Sequence, residues 1–101
     1  MITRLSENAR AEALSHLTAW RPLEDREAIH RAFSFQNFRE AWSFMSEIAL
    51  LAERMDHHPE WANVYNRVEI VLATHDCDGL SERDIVLAQA IDAVWARYTN
   101  P

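Results

Sequence analysis

Residues 37–55 read NFREAWSFMSEIALLAERM and carry the clearest helical pattern in the chain. Asn37 can accept a hydrogen bond from an amide of the first turn, and Glu40 stands three residues later, as in a capping box. Apolar residues then recur three and four positions apart until Met55, which is the period of a helix with one buried face. The pattern therefore predicts a helix from Phe38 to Met55.

The apolar face of this helix is wider than the ~100° that one sheet normally covers. It continues toward a flank formed by Phe44, Ile48, Leu51 and Met55. In a monomer this flank would face water, and contiguous exposed apolar surface usually marks an interface. We therefore expect a homodimer or homotetramer, since most homo-oligomers close by symmetry.

Strands are predicted on both sides of the helix. Residues 28–35, AIHRAFSF, place bulky apolar side chains at every second position with one interruption, and residues 68–75, VEIVLATH, alternate in the same way. Pro22 allows only a brief edge strand before the first of these, because proline cannot donate to an interior ladder. A hairpin turn is expected at Asn66 and Arg67.

Two further helices complete the pattern. Ser6 can cap a short first helix, and Ser81 with Asp84 three residues later resembles a capping box before the last helix. Gly79, the only glycine, predicts a turn with positive φ. The order helix, strand, strand, helix, strand, strand, helix predicts an α+β fold. It has a four-stranded antiparallel sheet with three helices packed on one face.

Composition and charge limit the function classes. The 101 residues are 49% hydrophobic and 26% charged, which predicts one globular domain spanning residues 1–101. The net charge of -6 and the scattered Lys and Arg residues disfavour direct binding of nucleic acid. Cys77 is the only cysteine, and no stretch reads as a signal peptide or a membrane span. We therefore expect a cytoplasmic protein without an intrachain disulfide.

A cluster of ionisable residues follows the long helix, in the stretch ERMDHHPEW of residues 53–61. His57 and His58 are adjacent there, and His75 closes the predicted last strand. A sheet that runs back beside the helix end would bring the three imidazoles together. Imidazole has an unperturbed pKa of ~6.5, so it donates and accepts protons near neutral pH. The sequence therefore predicts acid–base chemistry at this junction.

Three neighbouring residues suit a planar substrate that contains nitrogen. Glu53 and Asp56 can orient an imidazole or hydrogen-bond a heterocycle, and Trp61 offers a ring for stacking. The simpler structural interpretation is that Trp61 and Trp42 belong to the core and that Asp84 only caps a helix. A metal site formed by the three histidines and a carboxylate is a further alternative. Against it, adjacent histidines in extended chain point in different directions.

Three stretches taken together resemble the pterin-4a-carbinolamine dehydratase family. They are DHHPEW at 56–61, NVYNRVEIVLATHD at 63–76 and GLSERD at 79–84. The resemblance implies loss of water from a 4a-hydroxytetrahydropterin, the product of aromatic amino acid hydroxylases, to give the quinonoid dihydropterin. It implies a pterin substrate and no cofactor or metal.

The resemblance also implies residue roles. His57, His58 and His75 would be catalytic, with His57 as the base toward N5 and the other two around the departing hydroxyl. The implied substrate contacts, through side chain or backbone, are Asp56, Ala73, Thr74 and Asp76, with Glu53 and Trp61 completing the pocket and Asp84 helping to shape it. Replacing any one of the three histidines by alanine is expected to slow dehydration with little loss of stability.

The same resemblance leaves a second function class open. Members of the family are also known as dimerization cofactors of a homeodomain transcription factor or as regulators of hydroxylase expression. Dimers and tetramers are implied as well. A transcription factor or an aromatic amino acid hydroxylase is therefore the expected protein partner if the chain acts by binding.

Overall fold

The computed structural model describes residues 2–99. Its elements are helix α1 (Glu7–His16), strands β1 (Arg21–Pro22) and β2 (Ile29–Ser34), helix α2 (Phe38–Met55), strands β3 (Glu60–Val64) and β4 (Arg67–Leu72), a short 3-10 turn (His75–Cys77) and helix α3 (Glu82–Thr99). The predicted α+β order is confirmed. The predicted bounds of α2 are also confirmed, and its first turn is capped by Asn37, whose Oδ1 accepts from the Glu40 amide at 2.9 Å.

The four strands form one antiparallel sheet in the order β1-β2-β4-β3. Ile29 lies opposite Leu72, and Phe33 lies opposite Val68. Directly opposed residues point to the same face of a sheet, so these four buried side chains form the sheet side of the core. The helices cover this face, although α1 has no fully buried residue.

The register of β3 against β4 brings distant segments together. Glu60, the first residue of β3, lies opposite Val71, close to the end of β4. The residues that join α2 to β3 therefore lie beside the residues that follow β4. This pairing positions His57 and His58 next to His75.

The prediction that this flank of α2 is exposed is wrong. Phe44 and Ile48 are fully buried, and Leu51 and Met55 pack partly buried against the core. The reason is that α3 covers α2 beside the sheet, with the Phe44 and Trp95 rings in edge contact at 6.3 Å. Two layers therefore bury an arc wider than one sheet alone would cover.

A different face of α2 is exposed. We call it the outer stripe, and it consists of Phe38, Trp42 and Ala49, which lie one or two helical turns apart, while Met45 between them is partly buried against the core. Trp42 is 57% exposed, so the interpretation of Trp42 as a core residue is also wrong. The Phe38 and Trp42 rings stack on the surface with centroids 6.1 Å apart.

Two turns differ from the predictions. The β3–β4 turn lies at Tyr65 and Asn66, one residue earlier than expected, and Tyr65 takes the positive φ of 48°. After the 3-10 turn, Asp78 rather than Gly79 adopts positive φ. A Cβ on Gly79 would lie 2.5 Å from Glu27 Oε2 and 2.7 Å from Arg4 Nε, so a larger residue there would displace this ion pair.

Candidate active site

The end of α2 sets the direction of the first histidine. Asp56 adopts the left-handed conformation with φ 52°, and its amide donates to the Glu53 carbonyl at 3.1 Å. The amide of His57 donates to the Ala52 carbonyl at 3.0 Å. These two bonds form a Schellman turn, with an aspartate where glycine is commonest. The chain reverses there, and the His57 side chain is buried, with 8% of the residue exposed.

A buried carboxylate holds His57. Asp84 is fully buried, and its Oδ1 lies 2.6 Å from His57 Nε2. Its Oδ2 accepts from the Thr74 hydroxyl at 2.7 Å and from the Ser81 amide at 2.9 Å. An ionised carboxylate only accepts, so this contact favours a proton on Nε2 and leaves Nδ1 for proton exchange. Asp84 therefore combines the predicted helix cap with a second contact that fixes His57.

The other two histidines are exposed and also lie beside carboxylates. His58 Nε2 is 2.8 Å from Glu53 Oε1. His75 begins the 3-10 turn, and its Nε2 is 3.5 Å from Glu60 Oε2. Each of the three imidazoles thus has its own acidic neighbour.

Glu60 is a residue that the sequence reasoning missed. The Arg26 guanidinium donates to both of its carboxylate oxygens at 2.8 Å, and this hydrogen bonding lowers the pKa of Glu60 from its ordinary value. Arg26 lies between β1 and β2, far from Glu60 in sequence. The signal that could have identified Glu60 lies in the stretch HHPEW. It is an acid at the start of a strand that pairs beside the third histidine.

The three histidines line one cavity of about 320 Å³. Seven of the ten predicted site residues line it, namely Asp56, His57, His58, Ala73, Thr74, His75 and Asp76. Ile2 and Arg83, which were not predicted, complete the lining. Of the remaining three, Asp84 lies beneath the cavity, Glu53 contacts His58, and Trp61 lies half-buried on the inner face of the sheet opposite Ile70.

A network around Glu27 supports the loop that follows His75. The Glu27 carboxylate accepts from the guanidinium groups of Arg4 at 2.8 Å and Arg10 at 2.6 Å, and from the Leu80 amide at 2.9 Å. The hydrogen bonds from Arg4, together with this amide and the Arg10 charge, lower the pKa of Glu27 to about 2. The loop is thereby fixed to the N-terminal segment, to α1 and to the β1–β2 connection.

Two features of residues 2–99 bear on other functions. No group of three or more His, Cys, Asp or Glu residues there is arranged to hold a metal ion. No helix in that range is long and apolar enough to cross a membrane.

Comparison with known proteins places the chain in a family. The family model described as pterin 4 alpha carbinolamine dehydratase matches residues 3–94. The chain belongs to this family. A protein of Bradyrhizobium sp. strain ORS 278, provisionally named a pterin-4-alpha-carbinolamine dehydratase, is 56% identical over 99% of this chain and 100% of its own length. A relative of Burkholderia vietnamiensis with the same provisional name is 51% identical and covers the whole chain.

Solved structures share the fold. A crystal structure from Brucella melitensis, described as a transcriptional coactivator/pterin dehydratase, has a TM-score of 0.87 and 48% identity, and the match covers 90% of this chain and 97% of that one. A pterin dehydratase-like RuBisCO assembly factor of the alpha-carboxysome has a TM-score of 0.66 at 23% identity, covering 75% and 88%. At that identity the second likeness concerns the fold alone.

Proposed function

We propose that this member of the pterin 4 alpha carbinolamine dehydratase family is a cytoplasmic hydro-lyase. It removes water from a 4a-hydroxytetrahydropterin and thereby supports recycling of tetrahydropterin for an aromatic amino acid hydroxylase. The observation that carries the proposal is the single cavity lined by His57, His58 and His75. Family membership supports the same reaction class.

The reaction needs one proton donor and one proton acceptor. The bond from C4a to the hydroxyl oxygen breaks, the proton on N5 leaves, and a C4a=N5 double bond forms as water departs. No atom is oxidised by an external acceptor, so imidazole groups suffice. General acid or base catalysis by a positioned side chain contributes typically ~10²- to 10⁴-fold.

The environments of the histidines suggest their roles. His57 is the proposed base toward N5, because Asp84 holds its Nε2 and leaves Nδ1 to accept a proton. His58 and His75 are exposed beside Glu53 and Glu60. Because both side chains are exposed at the cavity, they can exchange protons with water, which suits these two residues to protonating the departing hydroxyl.

The remaining predicted residues take supporting roles in this proposal. Asp56, Ala73, Thr74 and Asp76 line the cavity and would contact the pterin through side chain or backbone. Trp61, packed against the core, would support the strand that carries Glu60 rather than stack on the substrate.

The test is an assay of dehydration with the carbinolamine generated by a phenylalanine hydroxylase. Wild-type protein should accelerate water loss, and His75→Ala should lower the rate by ~10²-fold or more. His16→Ala is the matched control, since His16 is an exposed imidazole beside Glu12 and is absent from the cavity lining. Dehydration no faster than in buffer would refute the proposal.

The absence of a metal requirement is part of the proposal. Protein treated with a chelator and then freed of it should retain its full dehydration rate. If activity disappears and stoichiometric zinc or iron restores it, the metal alternative replaces the proposed mechanism.

We also propose that the chain forms at least a dimer through the outer stripe of α2. Its stacked Phe38 and Trp42 rings are apolar and exposed, and two copies related by a two-fold axis would cover them. Trp42→Glu should therefore lower the mass measured by light scattering. Leu50→Glu is the control, because Leu50 is 74% exposed on another side of the same helix. Equal masses for wild type and Trp42→Glu would refute this contact.

The outer stripe also favours a second candidate function, binding of a different protein. The description of the Brucella structure as a transcriptional coactivator is consistent with such a role in that protein. The two functions separate experimentally, because Trp42 lies outside the histidine cavity. A Trp42→Glu protein that keeps its dehydration rate would assign the stripe to binding alone.

A further inference from the structure

The outer edge of β2 is only partly covered by β1. The two strands pair through two residues each, Arg21 opposite His30 and Pro22 opposite Ile29. Because β2 continues to Ser34, its second half extends beyond the last residue that pairs with β1. An edge strand presents backbone N–H and C=O groups that can pair with another chain. The second half of β2 therefore offers a place for an added strand.

Two hydrogen bonds show which way the backbone groups of this segment point. The Leu23 amide, on the β1 side, donates to the Ala28 carbonyl at 2.9 Å, and the Phe35 amide donates to the Asn66 carbonyl, on the β4 side, at 2.9 Å. Backbone groups of successive residues in a strand point to opposite edges. Even-numbered residues of β2 therefore direct both groups toward the β1 side, and odd-numbered residues direct them toward β4.

Ala32 and Ser34 are the even-numbered residues that lie beyond the end of β1. Both are exposed, and within residues 2–99 nothing on the β1 side is hydrogen-bonded to their backbone. We call this segment, residues 32–34, the free edge. Each of the two residues supplies one N–H and one C=O group, and such main-chain groups provide affinity when an extended peptide adds to a sheet.

A cavity of about 300 Å³ lies at the end of the free edge, and Ser34 forms part of its wall. We call it the aromatic cavity, because the rings of Phe35, Trp95 and Tyr98 also line it. The Phe35 ring is in edge contact with the other two, at 5.2 and 5.3 Å between centroids. Every second side chain of an added strand would point toward the helices. One of these side chains can therefore enter the aromatic cavity.

The charge at the aromatic cavity favours a cationic side chain. Glu40 lines the cavity, accepts from the Gln36 amide at 3.0 Å, and is paired with no cation among residues 2–99. The Arg31 guanidinium lies 5.9 Å from the Trp95 ring centroid, but Asp92 offsets its charge at 2.7 Å. A Lys or Arg side chain can lie over aromatic rings and is attracted by a carboxylate. The net charge of -6 adds to this attraction.

We propose that the free edge binds an extended segment of another protein. The segment adds as a strand beside Ala32 and Ser34, and it places a Lys or Arg side chain in the aromatic cavity. Ser34 lies opposite Arg67, at the end of β4 away from Leu72 and the histidine cavity. The interaction is therefore independent of the proposed dehydration.

The first test uses a synthetic peptide, Thr-Val-Lys-Val-Thr, with acetylated and amidated ends. Titration calorimetry would compare it with two forms that are N-methylated at the lysine or at the valine that follows. Only one of two successive amides in an added strand faces β2. One methylation should therefore weaken binding by ~10-fold or more and the other by less than ~3-fold, because only one removes a hydrogen bond to the free edge.

The second test changes the protein. Glu40→Gln keeps the acceptor for the Gln36 amide and removes the charge, so it should weaken binding of the lysine peptide ~2- to 5-fold. Affinity for a peptide with norleucine in place of lysine should stay unchanged. Glu69→Gln is the matched control, since Glu69 is an exposed acid on β4 that does not line the aromatic cavity. Ala32→Pro removes an N–H of the free edge, which an edge strand tolerates, and should weaken binding of both peptides.

Several outcomes would overturn the proposal. They are no saturable binding of the lysine peptide below ~1 mM, equal effects of the two methylations, and an unchanged affinity for this peptide in Glu40→Gln. Light scattering of Ala32→Pro, with its fold checked by circular dichroism, adds a further outcome. A mass lower than that of the wild type would mean that a second copy of this chain occupies the free edge instead.

Discussion

Two histidine–carboxylate pairs in this protein have similar contacts and different surroundings. His57 lies 2.6 Å from Asp84, and His58 lies 2.8 Å from Glu53. The side chains of the first pair are 8% and 0% exposed, whereas those of the second are 56% and 80% exposed. A buried ionic group depends on its partners for solvation, while water solvates an exposed one. The first pair therefore belongs to both the fold and the site, and the second belongs to the site alone.

The largest difference between the pairs should appear when the carboxylates are removed. Asp84→Ala removes the acceptor of three donors and should lower the free energy of unfolding by ~3–5 kcal/mol. Glu53→Ala should change it by less than ~0.5 kcal/mol. Urea unfolding followed by circular dichroism measures both values. Similar values for the two variants would contradict the distinction between the pairs.

The histidines should differ in the same direction by a smaller amount. His57→Ala leaves Asp84 with one donor fewer in a buried position, which should cost ~1–3 kcal/mol of stability. His58→Ala should cost less than ~0.5 kcal/mol. The expectation that all three histidine variants retain stability is thus replaced for His57. Unfolding curves and dehydration rates should be measured together, because both variants are expected to lose activity.

The elements of this fold were predictable because their signals are local. The spacing of apolar residues in α2 and the caps at Asn37 and Ser81 depend on neighbours within one or two turns. The proximity of His57 and His75 was also predictable from the sequence, because an antiparallel sheet must return beside the end of α2. Short-range chemistry therefore sufficed for the architecture and for the junction that holds the histidines.

What the sequence did not reveal depends on contacts between distant segments. The exposed side of α2 was misassigned because α3 buries Phe44, and no period within α2 contains that information. Burial likewise differs between His57 and His58, although the two residues are adjacent in sequence. Arg26 pairs with Glu60 across 34 positions of the chain. These features require the packed structure, so patterns within one segment could not predict them.

Glu27 provides an intermediate case, because its side chain is 16% exposed. The pKa of Glu27 is lowered from 4.5 to about 2, and the hydrogen bonds from Arg4 are the largest cause. A carboxylate with a depressed pKa stabilises the fold above its unfolded pKa, and this contribution is lost as pH falls through the folded value. The free energy of unfolding of the wild type should therefore exceed that of the Glu27→Gln variant by ~1–2 kcal/mol at pH 7.

The pH dependence of this difference is the diagnostic measurement. It should be constant above pH 4.5 and shrink between pH 4.5 and about 2. Unfolding by urea at several pH values gives the comparison, with Glu12→Gln as an exposed control. A difference independent of pH over this window would indicate lost packing rather than lost charge.

The smallest expected effect concerns the third pair, His75 and Glu60. Arg26 lowers the pKa of Glu60, so this carboxylate stays ionised near neutral pH, with its Oε2 3.5 Å from His75 Nε2. Because the pair is exposed, its free energy should be below ~1 kcal/mol. Glu60→Gln removes this charge and should therefore lower the dehydration rate by less than ~5-fold. Glu69→Gln, which replaces an exposed acid on the neighbouring strand β4, should leave the rate unchanged. A loss of ~10²-fold or more in Glu60→Gln would mean that Glu60 takes part in proton transfer itself. An unchanged rate would mean that the Glu60 charge does not assist His75.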